Sequence, residues 1–123
     1  MLTKQEMFDR AYIGLASQGF EQCTTSLGTC IYTSNDGSKH CAWGWVDPAA
    51  WALTAVSVPS FGASLDSLIS ARIGIAADLY ENGLYTLASA LQGAHDSANS
   101  ADDMKVKFRQ LAQDFNLTIP ELP

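Results

Sequence analysis

Charged side chains are scarce in this sequence, and basic ones are the scarcest. Only 16% of the 123 residues are charged, against about 25% in a typical soluble domain. Seven lysines and arginines are scattered along the chain, and the formal net charge is −6. Binding to a nucleic-acid backbone needs clustered basic side chains. The sequence therefore predicts a protein that does not bind nucleic acid directly.

Long apolar runs and disulfide spacing are also lacking. No stretch of about 18 apolar residues occurs, as a membrane-spanning helix requires, and residues 1–6 lack the basic-then-apolar order of a signal peptide. The three cysteines are odd in number and show no repeat spacing, which favours a reducing compartment over a disulfide scaffold. These features predict a cytoplasmic protein without a membrane segment.

Familiar cofactor and catalytic motifs are missing as well. The sequence contains no glycine-rich phosphate loop, no Gly-x-Ser-x-Gly elbow and no His-Glu-x-x-His motif. We therefore expect no cofactor, and the sequence favours a non-enzymatic role over an enzymatic one.

Helical patterns cover most of the chain, which we expect to form a single globular domain over residues 1–123. Thr3 and Glu6 have the spacing of a capping box, and apolar residues then recur at helical spacing until Gly19. This pattern predicts a first helix over 4–18. Further helices are predicted at about 49–53, 64–81, 84–96 and 101–115.

A β-hairpin is predicted between the first two helices. Two β-prone runs, 29–33 and 38–46, flank an Asp36-Gly37 turn, and an Asp-Gly turn is a strong hairpin signal. The predicted fold class is therefore α+β and mostly α, with about four longer helices and one short helix packed against a single antiparallel hairpin. A two-residue loop places Cys30, Tyr32, Cys41 and Trp43 on the buried face, whereas a three-residue loop places Cys30, Tyr32, His40 and Ala42 there. The two-residue loop is favoured, because it turns two cysteines, a tyrosine and a tryptophan inward.

Sulfur and imidazole groups provide the candidate chemistry. Cys41 and His95 are candidates for a thiolate–imidazole pair, with Asp96 orienting the ring. A structural zinc site is the alternative use of Cys30, Cys41 and His95, although the Cys-x-x-Cys spacing typical of such sites is absent. The purely structural interpretation is that the two cysteines are small buried apolar residues and that His95 lies in the last turn of its helix without a chemical role.

Aromatic side chains crowd around the predicted hairpin, and they are the candidate binding residues. Tryptophan and tyrosine dominate the energetics of protein interfaces, but they also fill cores. Both interpretations stay open for the group Tyr32, Trp43, Trp45 and Trp51.

Four short segments follow one another in an order that is typical of a known group of proteins. They are 18–19 (Gln-Gly), 28–32 (Gly-Thr-Cys-Ile-Tyr), 37–44 (Gly-Ser-Lys-His-Cys-Ala-Trp-Gly) and 91–96 (Leu-Gln-Gly-Ala-His-Asp). In this order they resemble a family of small bacteriophage and bacterial proteins of uncharacterised function. The family pattern is Cys-x-Tyr, Gly-x-Lys-Cys-Ala-x-Gly and Leu-Gln-x-x-His-Asp, followed by an amphipathic helix. This chain departs from the pattern at the additional His40 and at 46–49, where the family has an Ile-Pro-Asp-type segment. The resemblance implies a phage or bacterial cytoplasmic setting and no particular activity, and it marks four positions: Cys30, Cys41, His95 and Asp96.

The sequence as a whole favours a non-enzymatic, phage-encoded interaction module that modulates a host or phage protein. Small size, acidity and aromatic density support this hypothesis. The alternatives are a small thiol hydrolase that uses Cys41 and His95, and a structural zinc-binding domain. The expected partner is a protein, and self-association into a homo-oligomer stays open.

Overall fold

A computed structural model describes residues 3–22, 39–47 and 83–122 of the chain. Four helices lie within these ranges: α1 (Lys4–Ser17), α2 (Ala42–Val46), α3 (Tyr85–Ser97) and α4 (Ala101–Asp114). The short helix α2 packs against both α1 and α3, and α3 also packs against α1 and α4. The described part of the chain is therefore a helical body with α2 between two longer helices.

Helix α1 begins and ends where the local sequence predicts. The Thr3 hydroxyl accepts from the Glu6 backbone N–H, and the Glu6 carboxylate accepts from the Thr3 N–H, which confirms the capping box. At the other end, Gly19 has a φ of 70°. Its N–H donates to the Ala16 carbonyl, and the Phe20 N–H donates to the Leu15 carbonyl. This is a Schellman motif, in which a left-handed residue satisfies the last carbonyls of a helix.

Helix α4 is also capped at both ends, by a side chain at its start and by a left-handed residue after its end. The Ser100 hydroxyl accepts from the Asp103 N–H at the start of the helix. Asn116 takes the left-handed position after the end, with a φ of 60°, and asparagine tolerates that conformation better than most residues. The Leu117 N–H then donates to the Ala112 carbonyl at 2.7 Å. This turn sets the direction in which the chain leaves the helical body.

Aromatic side chains join α1 to α4 at the centre of the core. Phe8 and Tyr12 stack with ring centroids 5.7 Å apart, and Phe108 of α4 lies 6.1 Å from Phe8. Phe20 meets Tyr12 edge-on at 5.3 Å. Such ring pairs add about 0.5–1.5 kcal/mol each to the burial of their area, so this cluster is a main source of stability for the helical body.

The predicted β-hairpin is wrong. The second strand was expected over 38–46, but residues 42–46 are helical, and the described residues include no strand. The α+β class is therefore corrected to a helical one for the part of the chain that is described. Both predicted sets of buried hairpin side chains are therefore wrong as well, because Cys41 caps a helix and is not part of a strand.

The physical reason for this error is that α2 is buried on nearly all sides. Four of its five residues are buried, so its sequence is a short apolar run that periodicity cannot distinguish from a strand. A helix of five residues is also far too short to form by its own propensity. Contacts from distant parts of the chain therefore impose its conformation.

Several predicted elements lie outside the described residues. They are the first hairpin strand at 29–33, the short helix at 49–53 and the long helix at 64–81.

Candidate functional site

Cys41 is the residue that begins α2. Its Sγ accepts a hydrogen bond from the Gly44 N–H at 3.3 Å, in the position where serine or threonine usually caps a helix. The residue has no exposed surface. This contact gives the sulfur a structural role at the start of α2.

His95 and Asp96 form a contact in the last turn of α3. His95 Nδ1 lies 2.8 Å from Asp96 Oδ1. The imidazole has no exposed surface, whereas 43% of the Asp96 side chain is exposed. The carboxylate thus stands at the boundary between the buried ring and the solvent, and it holds the ring in one orientation.

Gln92 connects this pair to α2. Its Oε1 accepts from the backbone N–H of Trp43 at 3.0 Å, and its Nε2 donates to Asp96 Oδ1 at 2.9 Å. The first N–H groups of a helix have no partner within the helix, and Gln92 supplies one for α2. The chain of contacts Trp43–Gln92–Asp96–His95 is called the Gln92 network below.

Sequence reasoning missed the role of Gln92. Gln92 lies three residues before His95 and four before Asp96, a spacing that places all three near one another on a helix. That spacing was the available signal. The contact with Trp43 spans 49 positions in sequence and had no local signal.

Burial decides what Cys41 and His95 can do chemically. Both side chains have 0% exposure, so a substrate has no access to either of them in this conformation. Catalytic thiols typically sit in partly exposed, electropositive surroundings. The arrangement of these residues is that of a structural polar network in the core.

The metal hypothesis has no support among the described residues. Within residues 3–22, 39–47 and 83–122, no three histidine, cysteine or acidic side chains are grouped so that they could hold a metal ion. Cys30, the third residue of the zinc alternative, lies outside these ranges.

The candidate binding aromatics occupy different environments. Trp43 is only 1% exposed and belongs to the core, whereas Trp45 is half-buried at its edge. Tyr32 and Trp51 lie outside the described residues. Of the aromatic group, Trp45 is therefore the one placed at a described surface.

Trp45 is held firmly in place. Its indole Nε1–H donates to Gln18 Oε1 at 3.0 Å, and the His40 ring stands edge-on to it at 4.7 Å. On the α1 side, a Cβ atom added to Gly14 would overlap the indole, with the Trp45 Cβ only 2.7 Å away. The ring thus lies directly on the backbone of α1.

An open groove runs along α1 beside this ring. It has a volume of about 430 Å³, within the range of ligand-binding clefts. We call it the α1–α2 groove, and its lining residues are Asp9, Arg10, Ile13, Gly14, Ser17 and Trp45.

Arg10 and Asp9 give one end of the groove its charges. Arg10 is exposed, and its Nη1 donates to the Val46 carbonyl at 3.0 Å, which closes the last turn of α2. The other guanidinium N–H groups make no hydrogen bond or ion pair within the described part of the chain. Asp9 Oδ1 accepts from Gln5 Nε2 at 2.7 Å. Arg10 is therefore fixed in position while it keeps donors that an external carboxylate can use.

The groove was also missed from sequence. Its one available signal was Gly14, an isolated glycine in the middle of a helical pattern. Such a glycine costs about 1 kcal/mol relative to alanine and usually has a packing reason. The identity of the packing partner, Trp45, depends on the tertiary fold.

Comparison of the chain with family models, with curated proteins and with solved structures finds no match to any of them. The described helices also include none that is long and apolar enough to pass through a lipid bilayer.

Proposed function

We propose that this chain is a non-enzymatic protein-interaction module, encoded by a phage, that modulates a host or phage protein. The observation that carries the proposal is the α1–α2 groove, which presents a half-buried tryptophan and an exposed arginine side by side. Tryptophan and arginine are the residue types most enriched among interface hot spots.

The groove indicates the chemistry of its occupant. Ile13, Gly14 and Trp45 form an apolar floor, and Arg10 offers guanidinium donors at its edge. The matching partner segment carries an apolar side chain that covers the floor and a neighbouring carboxylate that pairs with Arg10. A rigid floor favours binding, because little side-chain freedom remains to be lost when the partner docks.

A binding role fits the sulfur chemistry better than a thiol hydrolase does. Cys41 and His95 are both fully buried, and the Cys41 sulfur already accepts from the backbone of α2. These residues support the floor of the groove from within, since α2 carries Trp45.

The proposed setting is the cytoplasm of a bacterial or phage-infected cell. The odd number of cysteines, without a repeat spacing, supports a reducing compartment. The resemblance of four segments to a phage and bacterial family supports the same setting.

Site-specific photo-crosslinking tests the proposal. A photoreactive phenylalanine analogue is placed at Ile13 in the groove or, as the matched control, at Val106, which is 62% exposed on α4. Each protein is irradiated in lysate of phage-infected bacteria. We expect a discrete adduct from position 13 that position 106 does not give.

Charge reversal then links the adduct to the groove. Arg10→Glu is expected to abolish the position-13 adduct, whereas Arg109→Glu, the same change at an exposed position of α4, leaves it intact. Circular dichroism confirms that both variants are folded, because Arg10 also closes α2. The proposal is overturned if no adduct forms, if both positions give the same adducts, or if folded Arg10→Glu retains the adduct.

A further inference from the structure

We propose that the α1–α2 groove also binds residues 119–122 of a second copy of this chain, giving a weak symmetric dimer. The inference depends on the groove being a docking surface, as in the proposed function, but it does not depend on the partner. It rests on residues 119–122, beyond the end of α4, where Ile119, Glu121 and Leu122 are exposed and Pro120 is half-buried.

The segment that precedes these residues is held against α1. The Thr118 N–H donates to Gln5 Oε1 at 2.9 Å, and the Thr118 carbonyl accepts from Gln5 Nε2 at 2.9 Å. One side-chain amide thus satisfies both backbone groups of Thr118, as a neighbouring strand would. The residues that follow therefore leave the body from a fixed point.

Beyond that point, the chain presents apolar side chains to solvent. Ile119 is 42% exposed and Leu122 is 45% exposed. They are three residues apart on either side of Pro120, whose ring favours an extended polyproline II conformation. That conformation has three residues per turn, and a segment that adopts it would carry both apolar side chains on one side.

The groove complements this segment in polarity and charge. Its floor at Ile13 and Trp45 is apolar, as is the Ile119–Leu122 side of the segment. Arg10 has guanidinium donors to spare, and the exposed Glu121 carboxylate is a matching acceptor. The segment thus has the features inferred above for the groove's occupant.

The lengths are compatible as well. From Asp9 to Ser17 the groove follows eight helical steps, which correspond to about 12 Å at 1.5 Å per residue. The three steps from Ile119 to Leu122 span about 9 Å in a polyproline II conformation. One segment therefore covers most of the length of the groove.

The position of Gln5 favours a reciprocal exchange between two copies. Gln5 Nε2 donates to Asp9 Oδ1 as well as to the Thr118 carbonyl, so the segment starts beside the Asp9 end of the groove. None of residues 118–122 lines the groove of its own copy. A two-fold axis near this end places each segment along the groove of the other copy, and such an isologous contact closes as a dimer.

The interface is small, and the dimer is accordingly weak. We expect a dissociation constant of roughly 10–100 µM, as befits an interface well below 1,200 Å². The net charge of −6 opposes association, so added salt is expected to lessen this repulsion at distances beyond about 10 Å. Because the same groove serves both roles, a bound partner displaces the second copy.

Sedimentation velocity over a range of protein concentrations tests the dimer. The wild type is expected to shift from monomer to dimer between about 1 and 500 µM. Leu122→Asp is expected to weaken the dimer at least about tenfold, whereas Val106→Asp, also at an exposed apolar position, leaves it unchanged. A wild type that stays monomeric throughout this range, or an equal effect of both variants, overturns the inference.

A charge-reversal cycle identifies the contact itself. Arg10→Glu and Glu121→Arg are each expected to weaken the dimer, and the double variant Arg10→Glu/Glu121→Arg is expected to recover at least about tenfold of the loss. Failure of the double variant to recover overturns the assigned pairing. Loss of the dimer with an intact position-13 adduct would separate this inference from the proposed function, which would then stand alone.

Discussion

The indole of Trp45 rests directly on the backbone of Gly14, at a distance that leaves no room for a side chain on α1. A Cβ atom at Gly14 would overlap the Cγ, Cδ2 and Cβ atoms of Trp45. These are atoms at the root of a rigid ring that is itself fixed by Gln18 and His40, so the ring cannot turn aside. This contact sets the spacing of α1 and α2 and thereby the shape of the groove.

Gly14→Ala is therefore expected to destabilise the protein. The overlap costs about 1–3 kcal/mol, as overpacking usually does, and this exceeds the gain of up to about 1 kcal/mol from replacing glycine in a helix. Gly93 is the matched control, because it also lies within a helix and a Cβ there meets nothing within 4 Å. Urea unfolding is expected to show Gly93→Ala unchanged or more stable, and equal stability of the two variants would contradict the close contact.

The Gln92 network yields a prediction about charge. In Gln92→Glu, the new carboxylate still accepts from the Trp43 N–H, but it loses the bond to Asp96 and stands beside a like charge. We expect a loss of about 1–3 kcal/mol in the free energy of unfolding at neutral pH. Denaturant titration measures this change.

A double variant provides the control for that prediction. In Gln92→Glu/Asp96→Asn, the asparagine amide nitrogen takes the place of Asp96 Oδ1, the atom that contacts both Gln92 and His95. One of its N–H groups donates to the new carboxylate and the other faces His95 Nδ1, so the bond between positions 92 and 96 is restored with the donor and acceptor exchanged. The double variant is expected to be more stable than the sum of the single changes by about 0.5–3 kcal/mol. Simple additivity would contradict a direct bond between these side chains.

How much of this fold could be predicted depends on the sequence distance of the stabilising contacts. The limits of α1 and the first turn of α4 follow from bonds that span three residues, such as Thr3–Glu6 and Ser100–Asp103. Local capping rules therefore predict them. The C-terminal turns need only a residue that tolerates positive φ, and Gly19 supplies one.

Helix α2 shows where such reasoning ends. Its first turn is completed by Gln92 and its last carbonyl by Arg10, residues that are 49 and 36 positions away. Nothing in the neighbourhood of 42–46 encodes these partners, and an apolar run that follows an Asp-Gly pair in the sequence favours a strand on local grounds. Tertiary contacts override that local preference, and the groove depends on the same contacts.

The carboxylates in the first turns of α1 and α4 predict that the free energy of unfolding decreases in acid. The backbone N–H of Thr3 donates to the Glu6 carboxylate and lowers the pKa of Glu6 below its usual value of 4.5. The Asn99 N–H likewise lowers the pKa of Asp103 below 3.8. As the pH falls below these values, the unfolded chain takes up protons first, so the stability that the carboxylates contribute is lost.

Glu6→Gln isolates one of these two contributions. Glutamine can keep the capping-box bond but does not titrate. We therefore expect the wild type to melt at a higher temperature than the variant at pH 7, and this difference to shrink as the pH approaches 3. Thermal unfolding followed by circular dichroism at several pH values provides the measurement. A difference that stays constant down to pH 3 would show that the Glu6 charge does not stabilise α1.

The burial of Cys41 predicts that its thiol reacts slowly with alkylating reagents. Its sulfur has no exposed surface and accepts from the Gly44 N–H, so alkylation requires an opening of the fold. For a stable domain, we expect iodoacetamide to modify Cys41 at least about 100-fold more slowly in the native protein than in urea. Mass spectrometry of the peptide that contains Cys41 measures its rate of alkylation separately from that of the other cysteines.

A catalytic thiolate behaves in the opposite way, because a lowered pKa and an open site make it react at neutral pH as fast as a free cysteine or faster. Rapid native alkylation of Cys41 would therefore support the thiol hydrolase over the binding module.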